Sequence, residues 1–405
     1  MDVLVERVAG LDVHSKTVVA SVHTPKVRET RTFGTMTGDL REMARWLAAC
    51  EVSHVVMEST GPYWWPVYNV LEEAEGFELI VTNAQHVKAV PGRKTDVGDA
   101  EWLCSLLRHG LIRASFIPDK SQRELRELVR YRKKVIQERA SEVQRVQKTL
   151  ESANVKLASV ASDVLGVSGR QMLEAMVAGV SEAKTLAAMA KGRLRDKQVA
   201  LEQALEGMVG AHHRFIIREQ LRHIDELDAR IARLSEEIAE RIRPFEQAVQ
   251  RLDTVPGIGR HTAEMIVAEI GVDMSRFRTA DHLASWAGVC PGNNESAGKR
   301  RSGKTRKGDG WLREAMVEAA WAATRTRSSY LNAQYHRLAG RRGKKRALVA
   351  VAHSMIIAIW HILADDEDYK DLGYDYFDQR DKDALARRMT RRLEALGYKV
   401  TIDVA

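Results

Sequence analysis

Near its N-terminus the chain reads VAGLDVHSKTVVASVHTPKVRETRTFGT, residues 8–35. Apolar and polar residues alternate there in three runs rich in β-branched side chains, at 8–13, 17–22 and 30–35. Alternation with a period of two is typical of strands that bury one face. Turn-forming residues such as Pro25 separate the runs. The stretch therefore predicts three consecutive antiparallel strands.

After these strands, helical and strand patterns alternate along the chain. The predicted elements are a helix at 38–49, a strand at 54–58, a helix at 62–74, a strand at 77–81 and a helix at 96–108. Strands followed by such alternation form a mixed sheet with helices on its faces. The order of the elements resembles that of the RNase H-like fold, so we expect an α/β domain of that type at 1–120.

A long charged segment with almost no proline follows, from residue 121 to about 244. Its apolar residues step by three and four in alternation, as in a coiled coil, at Ile224, Leu227, Ile231, Leu234 and Ile238. Two long helices could pair as an antiparallel hairpin or between two chains. A long solvated helix packed within its own chain is an equal alternative to a dimer contact. Between the helices, an Ala-rich stretch at 152–210 predicts a small helical insertion.

The remainder of the chain is also helical in pattern. Its predicted helices lie at 311–324, 347–364 and 381–396. The sequence as a whole predicts an α/β domain followed by all-α regions. The expected domains are the α/β domain at 1–120, a coiled-coil helical region at 121–248 and a helical C-terminal domain at 249–405.

Composition excludes several classes of protein. With 405 residues the chain is too long for a mini-protein held by disulfides, and its three cysteines lie far apart without a CxxC pair. This usage argues against a zinc finger and for a reducing compartment. The N-terminal residues lack the basic and apolar regions of a signal peptide, and no uninterrupted apolar run approaches the length of about 18 residues that suggests a membrane helix. We therefore expect a cytoplasmic protein without a membrane partner.

The positive charge of the chain is concentrated in one segment. The whole chain carries a formal net charge of +8, whereas residues 296–346 contain fifteen Lys and Arg against three Asp and Glu, or +12. The Gly-, Ser- and Lys-rich part of this segment cannot build a core, so it is either disordered or ordered by a polyanion. The candidate nucleic-acid-binding side chains there are Lys299, Arg300, Arg301, Lys304, Arg306 and Lys307.

Four acidic residues are candidates for a metal site. Asp12 and Glu58 end the first and fourth predicted strands, which are neighbours in an RNase H-like sheet. Asp96 and Asp99 are spaced to share one face at the start of a helix. Such carboxylates repel one another unless a divalent cation such as Mg²⁺ or Mn²⁺ neutralises them, and a pair of ions could then clamp the oxygens of a phosphodiester. In the alternative, the same residues cap a helix, begin a turn or form ion pairs.

A glycine turn is a candidate phosphate-binding motif. The stretch LDTVPGIGRHTAEMIVAEIG at 252–271 has the form of a helix-hairpin-helix. Gly257 and Gly259 permit a tight turn whose amides, with the start of the next helix, can bind a phosphate without reading sequence. An ordinary glycine turn between two packed helices is the alternative.

The basic segment also contains candidate nucleophiles. A serine among lysines and arginines can attack a phosphate, because the cations stabilise the charge of the transition state. Ser296 and Ser302 are both candidates from composition alone. In the alternative, these hydroxyls only contact phosphate oxygens while the cations bind the nucleic-acid backbone.

Five segments together resemble a known family, the DEDD transposases of bacterial insertion sequences and their Piv-type invertase relatives. In chain order the segments are GLDVHSK at 10–16, MESTGPYW at 57–64, KTDVGDA at 94–100, VPGIG at 255–259 and CPGNNESAGK at 290–299. KTDVGDA together with CPGNNESAGK is a specific signal, whereas the glycine turn by itself is not. The resemblance covers most of the chain and is weakest at 152–210 and after about residue 365.

The resemblance implies roles for single residues. In this family a RuvC-like domain holds metal on four acidic residues, which match Asp12, Glu58, Asp96 and Asp99. The nucleophilic serine of the family lies five residues after the proline of a Gly-x-x-Pro segment, and five residues after Pro291 is Ser296. Many relatives have glycine directly after that serine, whereas this chain has Ala297.

The resemblance also implies a reaction and its partners. It implies a DNA recombinase that exchanges strands between target and donor double-stranded DNA through a covalent phosphoserine, with Mg²⁺ or Mn²⁺ on the acidic residues. A structured noncoding RNA, the bridge RNA, would guide it, and a homodimer or homotetramer would form in the bacterial cytoplasm, associated with the nucleoid. The rival functions are a metal-dependent nuclease or Holliday-junction resolvase without a serine nucleophile, and a nonenzymatic nucleic-acid-binding coiled-coil scaffold.

Overall fold

The structure is a computed structural model that describes residues 3–59, 61–83, 96–292 and 294–402. The chain forms two compact units, Met1–Pro118 and Asp119–Ala405. A mixed sheet forms the centre of the first unit, and the second unit is mostly helical. The predicted α/β N-terminal region is therefore confirmed, and the remainder, predicted to be all-α, is mostly helical but contains two short strands. The second unit contains both the long helices and the C-terminal helices, for which the sequence predicts separate domains at 121–248 and 249–405.

The first unit contains a five-stranded sheet. Its strands are β1 (Val8–Val13), β2 (Thr17–His23), β3 (Arg28–Gly34), β4 (His54–Glu58) and β5 (Glu78–Thr82). They lie in the order β3-β2-β1-β4-β5, with β1, β2 and β3 antiparallel and with β4 and β5 parallel to β1. The three antiparallel strands predicted from the N-terminal sequence are thus present, and β3 begins at Arg28 rather than at residue 30.

Helices cover both faces of this sheet. One face packs on α1 (Thr37–Ala49) and α2 (Trp64–Ala74), and the other packs on α3 (Asp96–Arg108). Leu11 belongs to the core under α1 and α2, whereas Val8 belongs to the core under α3. Because side chains alternate along a strand, Gly10 and Asp12 are in phase with Val8 and lie on the α3 side of the sheet.

The second unit is built from helices of very different length. They are α4 (Lys120–Ser152), α5 (Leu157–Val160), α6 (Val167–Val177), α7 (Ala183–Ala187), α8 (Gln198–Leu205), α9 (Ala211–Ile242), α10 (Glu246–Asp253), α11 (Arg260–Ile270), α12 (Ala280–Trp286), α13 (Gly310–Ala323), α14 (Tyr330–Arg342), α15 (Lys344–Asp365), α16 (Tyr376–Arg380) and α17 (Lys382–Glu394). Two short strands, β6 (Asn294–Ser296) and β7 (Lys299–Ser302), form a separate hairpin.

The long helices α4 and α9 pack along each other within one chain. Residue numbers fall along α9 as they rise along α4, as shown by the contacts of Glu124 with Arg241, Arg132 with Ser235, Arg139 with Asp228 and Thr149 with Gln220. The orientation is therefore antiparallel. Of the arrangements that the heptad pattern leaves open, the structure has the antiparallel hairpin.

The stretch between the two long helices has a hydrophobic core of its own. Short helices α5 to α8 bury Leu157, Met172 and Leu201 in it. Leu150 of α4 and Ile217 of α9 complete this core. The insertion is therefore held by apolar contact with the ends of both long helices that it connects.

Buried ion pairs join α4 to α11. Arg132 donates to Glu264 across 2.6 Å, and each side chain is only 3% exposed. Arg130 donates to both carboxylate oxygens of Glu269, at 2.7 and 2.8 Å. Burial opposes the ionisation of Glu264, but the contacts with His261 and Arg132 outweigh it and lower the pKa of this carboxyl. At Glu269, which is fully buried, burial outweighs the contact with Arg130 and raises the pKa.

Among the helices that the structure describes, α15 is long and apolar enough to cross a membrane, by length and composition only. One side of it is buried inside the second unit, including Val351, Met355 and Ile359. This side packs on α12, α13 and α14. A core helix passes the same test of length and composition, so α15 is weak evidence for a membrane span.

Replacing Arg132 with Ala is expected to lower the free energy of unfolding by about 3 kcal/mol, because it leaves the Glu264 carboxylate buried without its buried cation. The value is at the low end for a broken buried pair because Arg260 still donates to Glu264. Arg222→Ala is the control, since its pair with Glu219 has side chains that are 67% and 46% exposed, and we expect a change of about 1 kcal/mol or less. Denaturant titration followed by circular dichroism measures both variants, and equal losses would contradict the assigned role of the buried pair.

Candidate functional site

Two of the predicted metal ligands lie side by side at the edge of the N-terminal sheet that is formed by the carboxyl ends of its strands β1 and β4. Strands β1 and β4 are parallel neighbours, and Leu11 pairs with Met57 in their register. Asp12 and Glu58 are the next residues of the two strands and occupy adjacent positions. Both are half-buried and in phase with the strand residues that form the core under α3.

The helix α3, which carries a third predicted ligand near its start, closely approaches β1, the strand that carries Asp12. A Cβ atom at Gly10 would lie 2.2 Å from the carbonyl oxygen of Ala100 and 2.8 Å from the amide nitrogen of Cys104. Glycine at this position is therefore what lets the helix contact the strand backbone. Asp99 directly precedes Ala100 and is half-buried. Asp96 begins the helix, but its side chain lies outside the described residues.

Asp12 has a polar neighbour that the sequence analysis did not single out. Nε2 of His14 lies 3.0 Å from Oδ2 of Asp12, and the two side chains are 55% and 20% exposed. Residues two apart at a strand end share one face. The spacing Asp-x-His at the end of a predicted strand is therefore the sequence signal for this contact.

The donor atoms at this edge are carboxylate oxygens, which suit Mg²⁺ or Mn²⁺. Within the described ranges, no group of three or more His, Cys, Asp or Glu side chains is arranged to hold a metal ion. The structure thus brings Asp12 and Glu58 to neighbouring positions, with Asp99 on the helix beside them. It does not assemble a complete ligand set from the side chains that it describes, and Asp96 is not among these.

Ser296 lies in the hairpin of β6 and β7. It pairs with Lys299, and the two residues between them, Ala297 and Gly298, have φ angles of 51° and 71°. Positive φ at both central residues is typical of a type I′ turn. The twist of such a turn matches the right-handed twist of the two strands that it connects. Gly298 adopts this conformation freely, whereas it strains Ala297. The composition of the segment does not predict this hairpin, and the side chain of Ser296 lies outside the described residues.

A backbone hydrogen bond closes the base of the hairpin, and the segment that follows the hairpin is bonded to the helical core. The amide of Gly292 donates to the carbonyl oxygen of Lys304 at 2.9 Å. Asp309 caps α13 by accepting from the amide of Leu312 at 2.7 Å, and it also accepts from Arg130 of α4 at 3.3 Å. Backbone hydrogen bonds and one charged contact therefore hold a segment that has few apolar side chains.

The predicted nucleic-acid-binding side chains are exposed wherever the structure describes them. None of those four forms an ion pair with another described residue; they are Lys299, Lys304, Arg306 and Lys307. The side chains of Arg300 and Arg301 lie outside the described part of the chain. The second candidate nucleophile, Ser302, accepts a hydrogen bond at 3.2 Å from the amide of Lys304, so its hydroxyl is engaged in the local turn.

Two family profiles match separate parts of the chain. Residues 9–155 match the transposase profile of the DEDD type from IS110 elements, and residues 249–336 match the transposase profile of the IS116/IS110/IS902 family. The chain belongs to the IS110 family of transposases. The matched ranges include the edge of the sheet with Asp12 and Glu58 and the hairpin with Ser296.

Curated relatives of this IS110-family transposase agree with the profiles. It is 28% identical over 339 residues to a probable family 20 transposase of Pseudomonas aeruginosa, covering 82% of this chain and 89% of that protein. It is 25% identical over 337 residues to the transposase for insertion sequence element IS1111A of Coxiella burnetii, covering 80% of this chain and 81% of that protein. The predicted enzyme of DNA transposition is confirmed in this general form, with DNA as its partner.

The two predicted phosphate-binding glycines of the transposase have different surroundings in the turn between α10 and α11. Gly257 has a φ of 89°, and a Cβ there would lie 2.3 Å from the carbonyl oxygen of Ala319 on α13. Gly259 directly precedes α11, and a Cβ there would meet nothing within 4 Å. Gly257 is therefore required for packing, and of the two it is Gly259 that has room beside it for a phosphate.

Gly257→Ala is expected to lower the free energy of unfolding by at least about 2 kcal/mol, because the alanine is strained at positive φ and its Cβ meets the backbone of α13. Gly259→Ala is expected to change it by about 1 kcal/mol or less, since this position has extended backbone and open space. Thermal unfolding compares the two variants in parallel. A Gly257→Ala protein as stable as the parent would show that α13 moves away without cost.

Proposed function

We propose that this transposase exchanges DNA strands through a covalent bond between Ser296 and a DNA phosphate. The hairpin carries the proposal, because its two-residue turn holds Ser296 opposite Lys299 within a segment, residues 296–346, that has a net charge of +12. A phosphate drawn to these cations meets the serine at the end of β6. The cations offset the charge that develops on the phosphate oxygens during attack.

The proposed reaction has two balanced steps. The Oγ atom of Ser296 attacks phosphorus and forms a P–O bond while the bond from phosphorus to the sugar oxygen breaks. The serine hydroxyl loses its proton in this step, and the leaving sugar oxygen takes one up. The sugar hydroxyl of a second strand then attacks the phosphoserine, which restores a phosphodiester and returns the proton to serine. No external energy source is required, because the protein–DNA ester conserves the phosphodiester bond.

The proposal assigns Mg²⁺ or Mn²⁺ to Asp12, Glu58, Asp96 and Asp99. The adjacent positions of Asp12 and Glu58 and the approach of α3 at Gly10 support one common site. A bound cation would offset the repulsion between the carboxylates and polarise a phosphate oxygen. The contact with His14 orients the Asp12 carboxylate. DEDD transposases are typically dependent on divalent metal, which agrees with this assignment.

The arrangement of the secondary structure supports the finer fold assignments. The sheet order β3-β2-β1-β4-β5, with helices on both faces, supports an RNase H-like (RuvC-like) fold for the first unit. The turn between α10 and α11 supports a helix-hairpin-helix with Gly259 nearest the phosphate. The antiparallel pairing of α4 and α9 supports a coiled-coil region at 121–248 between domains at 1–120 and 249–405.

The proposed partners are target and donor double-stranded DNA and a structured bridge RNA. Exposed cations such as Lys304 and Arg306 bind phosphates of either polymer without reading sequence. Base pairing with an RNA guide would then supply the sequence specificity. Strand exchange needs cleavage of both target and donor, which favours a homodimer or homotetramer with more than one active serine, acting at the nucleoid of the bacterial cytoplasm.

Ser296→Ala should bind DNA normally but leave no covalent protein–DNA adduct, because it lacks the nucleophile. Wild type on a nicked substrate that cannot religate should leave protein on one DNA end after denaturation, and Ser302→Ala should do the same. Gel electrophoresis and peptide mapping of the adduct make the comparison. Attachment at Ser302 would show that a different serine is the nucleophile. Free cleaved ends with no adduct from wild type would favour a hydrolytic nuclease.

Asp99→Asn should lower the rate of strand exchange by about 100-fold or more while the fold and nucleic-acid affinity stay intact, because it removes ligand charge rather than core volume. Glu101→Gln on the same helix is the control, since this residue contacts Thr30 and lies outside the proposed ligand set. Excess chelator should act like the Asp99 variant in an in vitro exchange assay. Full activity in chelator would overturn the metal assignment.

A further inference from the structure

A cavity of about 350 Å³ lies between α14 and the C-terminal helices. The residues that matter for its chemistry are Arg337, Arg341, Phe377, Arg380 and Asp381. All of them lie beyond residue 336, where the second matched family range ends. Gln334 also lines the cavity and lies within the matched range, so the arginines of the cavity, but not its whole lining, belong to a part of the chain that the family profiles do not cover.

Aromatic contacts dock the C-terminal segment on α14. The ring of Tyr330 stacks on Phe377 at 5.2 Å and meets Tyr376 edge-on at 5.2 Å. The guanidinium of Arg337 lies over Phe377 at 5.1 Å. Asp371 accepts a hydrogen bond at 2.9 Å from the amide of Tyr330, at the start of α14. Side-chain contacts and a hydrogen bond thus hold both walls of the cavity in place.

Three arginines converge on this cavity without a countercharge in contact. Arg337 and Arg341 are four residues apart on α14 and share one face, and Arg380 comes from α16. All three are exposed, and none forms an ion pair with another residue of the described ranges. Asp381 is the one carboxylate among the lining residues. Like charges so placed repel one another, and a bound anion would relieve that repulsion.

We propose that this cavity binds the phosphate backbone of a nucleic-acid strand. Guanidinium groups are planar forks that hold phosphate oxygens in pairs. Phe377 already contacts Tyr330 and Arg337, so its ring is not a free platform for a base, and the contact is with the backbone rather than with sequence.

The exposed cations next to the cavity indicate a strand rather than a small phosphate. The chain continues from Arg341 into four more exposed basic residues, Arg342, Lys344, Lys345 and Arg346. A row of cations beside a phosphate pocket can follow successive phosphates along a backbone. Six of the cations in the cavity and this row belong to the segment 296–346 whose charge supports the proposed function, but binding at the cavity needs neither Ser296 nor a metal, so it can be tested apart from the strand-exchange chemistry.

The test uses the full chain carrying Ser296→Ala, so that binding is measured without chemistry. Fluorescence anisotropy with labelled duplex DNA and with single-stranded RNA of equal length gives affinity as a function of salt. Changing Arg337, Arg341 and Arg380 together to Gln should lower the log–log salt slope by up to about 3 on duplex or about 2 on single strands, if each arginine makes one phosphate contact. A loss on one polymer alone identifies that polymer as the ligand, and a loss on both shows a site for either backbone.

The matched control changes Arg387, Arg388 and Arg391 of α17 to Gln, which removes the same charge from exposed positions outside the cavity. Its slope should stay close to that of the parent. Equal loss in both triple variants, or an unchanged slope in the cavity variant, would overturn the proposal. Should the cavity variant fail to fold by circular dichroism, Arg341→Gln alone should lower the duplex slope by about 0.9, and no change there would also overturn it.

Discussion

Arg130 connects parts of the second unit that are far apart in sequence. It donates to the buried carboxylate of Glu269 on α11 and to Asp309, which caps α13 at the base of the β6–β7 hairpin. Because Glu269 is fully buried, its charge is tolerable only beside cations, and Arg126 supplies a second one. One face of a single long helix thus holds the C-terminal helices and the segment with Ser296 in a fixed relation.

Strands β1, β2 and β4 of the first unit were predictable because most of their residues are buried. Five of the six residues of β1 and the three central residues of β4 are buried, and the bounds of both strands coincide with the sequence pattern. Strand β3 lies at the edge of the sheet and is largely exposed, which explains why its pattern marks its start two residues late. Hairpin β6–β7 escaped prediction because backbone hydrogen bonds and the turn at Ala297 hold it, and these leave no apolar periodicity in the sequence.

The candidate site was predictable only as far as strand ends define it. Asp12 and Glu58 could be placed together because parallel neighbours end at the same edge of a sheet. The packing roles of Gly10 and Gly257 could not be predicted, since each depends on a helix that lies about 60 or more residues further along the chain. The arginine cavity depends in the same way on contacts between Arg337 and Phe377 that no local pattern announces.

The two-residue turn of the hairpin has a consequence for how this region can change in evolution. Ser296 and Lys299 are paired across Ala297 and Gly298, so the spacing between them is set by the turn rather than by the chain around it. Substitutions in the strands leave that pairing intact. Loss or gain of a single residue in the turn, however, moves one strand by one position relative to the other and exchanges its two faces. Insertions and deletions should therefore be excluded between residues 296 and 299 while neighbouring exposed positions vary in residue type.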